Sequence, residues 1–292
     1  MNAPARLGIF GLGLAVVFGA AMGAGHLTGP VGAEAKPSAA HGGMEHDQAE
    51  GHDGHAGTLP GGLLVSDRGY TLATAPATTG TFAFRILGPG GRPVTAFDTR
   101  HDKRMHLIVV RRDLSGFRHV HPAMDADGTW RVASPLSGPG TYRAFADFKP
   151  AGGPPLTLGV DTAVGGDAAP RPLPAPATST TVDGYTVTLA GTLVAGRSSR
   201  LDLTISRDGR PVTDLQPYLA AYGHLVALRQ GDLAYLHVHP DGEPGDGRTR
   251  PGPAVTFHSE VPSAGTYRLY LDFQHQGTVH TAEFTAVAEE GR

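Results

Sequence analysis

The stretch MHLIVVRRDLSGFRHVHP, Met105 to Pro122, decides the fold. Two runs rich in β-formers, MHLIVVR and FRHVHP, flank the short connection RDLSG, which is the pattern of an antiparallel hairpin. Side chains alternate along a strand, so His106, Ile108 and Val110 share one face, as do Phe117, His119 and His121. Pairing Val110 with Phe117 sets His106 opposite His121, with His119 diagonal to it across the ladder. A slip of two residues keeps all six on the same face, and only a bulge would separate them. Three imidazoles then converge at the open end of the hairpin, while apolar side chains occupy its turn end.

The hairpin is written twice. At an offset of 118 residues, His106, His119, Val120, His121 and Pro122 recur as His224, His237, Val238, His239 and Pro240, and GRPVT at Gly91 recurs at Gly209. The offset becomes 125 after the segment DGEPGDGRTRPG, Asp241 to Gly252, and holds through GTYRAFADF at Gly140 and GTYRLYLDF at Gly265. An insertion of that composition belongs in a loop. Short alternating runs separated by Gly, Pro, Asp and Ser imply about seven strands per copy, the signature of an antiparallel β-sandwich. The fold class is therefore all-β, with two homologous immunoglobulin-like sandwiches in tandem. Tyr142 and Tyr267 resemble the tyrosine corner of that fold and are expected to enter the core.

Around the repeats the chain divides by composition. Residues 1–35 form a membrane anchor or signal segment, with Arg6 before the uncharged run Leu7 to Ala24. That run reads as an uncleaved anchor, while AEA at Ala33 to Ala35 offers a cleavage site; either way the remainder lies outside the cytoplasm. Residues 36–57 form a flexible tether with His41, Met44, His46, His52 and His55, which either captures copper loosely or only spaces the domains from the membrane. Residues 58–164 are the first repeat, 165–177 a stiff Pro-rich linker and 178–289 the second repeat.

Composition removes several function classes. A net charge of −3 gives no reason to expect a nucleic-acid partner. The absence of cysteine excludes disulfides, thiolate metal sites, blue-copper centres and iron–sulfur clusters. No nucleophile–base pair, phosphate loop or acid–base dyad is recognisable, so the chain is expected not to be an enzyme. A copper oxidoreductase is the remaining catalytic reading.

Three neutral imidazoles on rigid strands suit Cu(II) or Zn(II), and the affinity order favours copper, with zinc second. The expected ligands are His106, His119 and His121 in one repeat and His224, His237 and His239 in the other, each hairpin with its own patch binding about one Cu(II). Asp147 and Asp272 are candidates for a fourth ligand or an orienting carboxylate, or are solvated or salt-bridged side chains. His258, His275 and His280 have no assigned counterpart in the first repeat, and His275 is expected to be exposed at a hairpin tip. The competing reading is a structural or protein-interaction module whose histidines only pack.

The string MHLIVVRRDLSGFRHVHP followed by GPGTYRAFADFKPAG resembles a domain of secreted or membrane-anchored bacterial proteins, especially actinobacterial ones, related to YtkA-like and FixH-like immunoglobulin-type modules. The resemblance covers both repeats and is tightest at the His-x-His-Pro hairpins. It implies copper or heavy-metal handling, and with the outward placement of the repeats this leaves room for a protein partner in metal transfer. The second repeat departs from the first where Met105 is replaced by Gly223. If that methionine serves copper, the two copies bind differently.

Overall fold

The structure, a computed structural model, describes residues 59–291, apart from the side chains of His237 and His239. The run Leu7 to Ala24 and the tether bearing His41, Met44, His46, His52 and His55 lie outside the described residues. Among the described residues, no helix is long and apolar enough to cross a membrane.

The first repeat contains β1 (Ser66–Asp67), β2 (Tyr70–Thr74), β3 (Thr81–Leu87), β4 (Phe97–Asp98), β5 (Met105–Arg111), β6 (Arg118–Val120), β7 (Ala123–Met124), β8 (Thr129–Ala133), β9 (Gly140–Pro150) and β10 (Leu156–Val164). One sheet has the order β1-β2-β3-β8-β7, the other β10-β9-β5-β6, with β4 pairing on β9. Phe84, Leu107, Val109, Trp130, Tyr142 and Leu158 form part of the core between them.

The second repeat contains β11 (Ser179–Val182), β12 (Tyr185–Ala190), β13 (Leu193–Val194), β14 (Ser198–Arg207), β15 (Arg210–Pro211), β16 (His224–Arg229), β17 (Tyr235–Pro240), β18 (Ala254–Glu260), β19 (Gly265–His275) and β20 (Thr278–Glu289). Here the order β11-β12-β14-β18-β17-β16-β19-β20-β13 is continuous, because β17 pairs with strands of both layers. In the first repeat the same crossing is interrupted: β6 pairs with β5, and β7 pairs with β8 two residues beyond it. Pro122 and Pro240 thus stand where the chain passes from one layer to the other, a place that tolerates a residue without an N–H.

Both tyrosine corners form. Buried Tyr142 donates to the Gly138 carbonyl at 2.9 Å, and buried Tyr267 donates to the Ser263 carbonyl at 2.9 Å, the corner contact of immunoglobulin-like sandwiches.

The decisive feature is what covers the outer face of β5 and β9. Met105, Leu107 and Val109 point into the first core, while Ile108 and Val110 are equally buried on the other side. They join Leu114, Phe117 and Phe145 in one apolar cluster with Val226, Leu228, Leu233, Tyr235 and Tyr270 of the second repeat. The two copies therefore pack through equivalent faces. Phe117 stacks on Tyr270, and Phe145 lies against Tyr235 at a centroid distance of 5.4 Å, a contact related to the first by the repeat. The Pro-rich linker does more than space the domains: Leu173 packs on the shared cluster, and the Arg171 amide donates to Asp113 Oδ2 at 2.9 Å.

Met105 is buried among the core residues of the first sandwich, on the face opposite His106. It therefore has no place beside the histidines. At Gly223 the core is filled from elsewhere, since a Cβ there would meet Leu271 Cδ1 at 3.2 Å and Phe257 Cζ at 3.4 Å. The exchange of Met105 for Gly223 is a difference of core packing.

Candidate metal centre

The β5–β6 ladder pairs Leu107 with Val120, Ile108 with His119 and Val109 with Arg118. Continued, this register sets Val110 opposite Phe117 and His106 opposite His121. Three imidazoles meet at the open end of the hairpin, and one ligand nitrogen from each of His106, His119 and His121 lies within 4.8 Å of the others. His106 Nδ1 is 3.1 Å from His119 Nε2 and 3.2 Å from His121 Nε2.

The outer nitrogens determine what the inner ones can do. His106 Nε2 donates to the Arg100 carbonyl at 3.1 Å, and a carbonyl only accepts, so the proton sits on Nε2. His119 Nδ1 donates to Asp272 Oδ2 at 2.9 Å, which places its proton on Nδ1. In the neutral rings, His106 Nδ1 and His119 Nε2 therefore face each other as lone pairs. His121 can donate from Nε2 to His106 and satisfy one of the two contacts, but not both. Either a second proton on His119, which its Asp272 partner would balance, or a metal cation between the nitrogens removes the conflict. Nitrogens bound at about 2.0–2.1 Å to one ion sit about 2.8–3.4 Å apart at cis or tetrahedral positions. The two spacings to His106 fall in that range, while the triad as a whole spreads to 4.8 Å and would close slightly around an ion.

Electrostatics keep the third ring neutral. Burial, then the neighbouring His119 and His106, hold His121 down at about 2. Tyr218, 6.3 Å from His121 between ring centroids, is pushed up to about 12 by burial and by Asp272, and remains a phenol.

Asp272 lies on β19 directly opposite His224 but reaches across to His119 of the other repeat. Its second oxygen, Oδ1, accepts from Thr281 Oγ1 at 2.6 Å. Asp147 is placed by register opposite His106, and both carboxylates are buried. Of the two alternatives expected for these carboxylates, solvation does not hold at either position, while Asp272 is paired with His119.

The second repeat reproduces the frame. His224 Nε2 donates to the Tyr218 carbonyl at 2.8 Å, as His106 does to Arg100, and both acceptors begin a four-residue turn closed by an isolated bridge. The β16–β17 ladder pairs Val226 with His237, and its continuation sets His239 opposite His224. The side chains of His237 and His239 lie outside the described residues. In the first repeat the three histidines of one hairpin come together as expected, and His224 of the second repeat lies beside them. His119 and His224 ring centroids are 6.4 Å apart.

His101 was not anticipated. Its ring lies 6.1 Å from that of His106 and 5.7 Å from that of His224, bringing a further imidazole between the repeats. The second copy has Leu219 at the equivalent position, so repetition gave no signal for it. Of the three unmatched histidines, His258 pairs across the ladder with His239, and the other two lie elsewhere. His258 is exposed on β18. His275 is buried rather than exposed, accepting from the Tyr185 hydroxyl at 2.7 Å and donating to Asp214 Oδ1 at 3.0 Å. His280 donates to Asp183 Oδ2 at 2.8 Å.

A family model described as "Domain of unknown function (DUF8832)" matches residues 68–165 and again 180–290. No curated protein matches the chain. Among solved structures, a chimeric titin Z1Z2 tandem is 13% identical with a TM-score of 0.21, over 73% of this chain and 90% of that one. The fibronectin(III)-like modules of Clostridium thermocellum CbhA are 9% identical with a TM-score of 0.21, over 75% and 95%. Invasin, a bacterial integrin-binding protein, is 13% identical with a TM-score of 0.21, over 78% of this chain and 38% of its own. TM-scores this low carry no argument about what the chain does.

Proposed function

We propose that this chain, which belongs to the DUF8832 family through both of its repeats, is a non-enzymatic transition-metal-binding protein with copper as its ion. The observation that supports this reading is the pair of inward lone pairs on His106 Nδ1 and His119 Nε2, 3.1 Å apart, each fixed by an acceptor on the far side of its ring. Copper is preferred over zinc by the general affinity order for nitrogen donors. The resemblance to YtkA-like and FixH-like modules points the same way.

In this reading Leu7 to Ala24 holds the protein at the outer face of the cytoplasmic membrane, and His41, Met44, His46, His52 and His55 collect the ion loosely for transfer to or from a protein partner. Equilibrium dialysis of untagged protein against Cu(II), with a histidine-free β-sandwich as control, tests the central point. Binding above the control that falls when His106 is replaced by Gln supports the reading. Binding no greater than the control favours a protein-interaction module whose histidines serve the fold.

A further inference from the structure

The three ligands stand on one hairpin of the first repeat, but a side chain of the second repeat reaches them; the inference drawn from this rests on the metal-binding reading above. We infer that Asp272 of the second repeat is the positioning residue for His119 of the first, so that the triad is incomplete without the second copy. Three observations converge. Asp272 Oδ2 accepts a hydrogen bond from His119 Nδ1–H at 2.9 Å, which turns Nε2 toward His106 and His121. The carboxylate is 4% exposed and cannot swing to solvent for an alternative partner. Thr281 Oγ1 occupies its other oxygen at 2.6 Å, which fixes the direction of the acceptor.

A carboxylate that accepts from the remote nitrogen of a ligating histidine sets the tautomer and raises the basicity of the ligating nitrogen. Here that carboxylate comes from the other half of the molecule. Ile108, Val110 and Phe117 pack against Val226, Leu228 and Tyr270 beside the histidines and set the distance between the two halves. Duplication thereby gains a chemical purpose: one copy presents the ligands and its twin orients them. By linkage, an ion that binds only the docked arrangement also strengthens the docking.

The test uses the full chain and the variants Asp272→Asn, Thr281→Val and Asp183→Asn. Asp272→Asn keeps shape and removes the charge, and Thr281→Val keeps the carboxylate but frees its second oxygen. Asp183→Asn alters the partner of His280 and serves as a control for general loss of a His–Asp contact. Cu(II) affinity is read by competition with a chromophoric chelator, and the His119 tautomer by nitrogen-15 NMR of the metal-free protein. Asp272→Asn is expected to weaken Cu(II) binding by about 10–100-fold, with a smaller loss for Thr281→Val and none for Asp183→Asn. His119 is expected as the Nδ1–H tautomer in the wild type and as a mixture in Asp272→Asn. Equal copper affinity in Asp272→Asn and wild type, or an unchanged tautomer, overturns the inference. If the wild type binds no Cu(II), the metal reading fails, and the tautomer comparison alone decides whether Asp272 positions His119.

Discussion

Phe117 of the first repeat and Tyr270 of the second stack with centroids 4.0 Å apart and planes 10° from parallel, and the Tyr270 hydroxyl donates to the Leu114 carbonyl at 2.6 Å. One side chain thus supplies both apolar and polar contact across the repeat junction. Burial pushes the Tyr270 phenol well above its ordinary range, so it stays a donor. Truncating Phe117 to Ala is expected to cost about 3–5 kcal/mol in chemical denaturation, because the cavity cannot close between two sheets. Tyr270→Phe removes only the hydrogen bond, leaves a buried carbonyl short of a donor, and should cost about 1–3 kcal/mol. A near-zero cost for Phe117→Ala would mean that the repeats are not held together by this face.

Acid should weaken the metal-free protein partly through His121. Burial holds its folded value down at about 2, below the ordinary histidine value of 6.5, so the unfolded chain binds the proton first as pH falls. Stability is complete above about pH 6.5 and declines below it. Between pH 6.5 and 5.5 the loss assignable to this ring is at most about 1 kcal/mol, reduced by its partial solvent contact. Urea titrations at both pH values, with a chelator present, should show a smaller acid loss in His121→Gln than in the wild type. An identical acid loss in the two proteins would contradict the neutral, desolvated state of that ring.

His275 offers a test away from the metal. Replacing it with Ala leaves the buried Tyr185 hydroxyl without its 2.7 Å acceptor and should destabilise the protein by about 1–3 kcal/mol, with copper affinity unchanged. An exposed hairpin-tip histidine would cost almost nothing.

Much of the fold and part of the site can be read from the sequence. The 118-residue offset, the tyrosine corners and the hairpin alternation follow from local pattern, because a two-residue period fixes which side chains share a face. What covers a face is another matter. Alternation places His106, Ile108 and Val110 together but does not say whether water or protein lies beyond them. The signal was present in MHLIVV, which is apolar on both faces, whereas a strand with one wet face alternates. HLVAL repeats it in the second copy. Read that way, the run announces a second layer of protein outside the sandwich. Asp272 could not have been assigned to His119 from sequence, since the two are 153 residues apart and meet only through the packing of one copy on the other. His275 is buried despite its place near a hairpin tip, because Tyr185 and Asp214 close over it from elsewhere in the same domain, and position at a tip does not by itself set exposure.

The most direct measurement is the melting temperature of the protein carrying both His119→Gln and His121→Gln, with and without Cu(II). A bound ion stabilises only the native state, by an amount set by its affinity and concentration. The wild type is expected to melt several degrees higher with Cu(II) in excess, and the double variant to lose that shift while its metal-free melting temperature stays close to that of the wild type. A large fall in the metal-free melting temperature with an undiminished copper shift would show that these histidines serve the fold and not a metal.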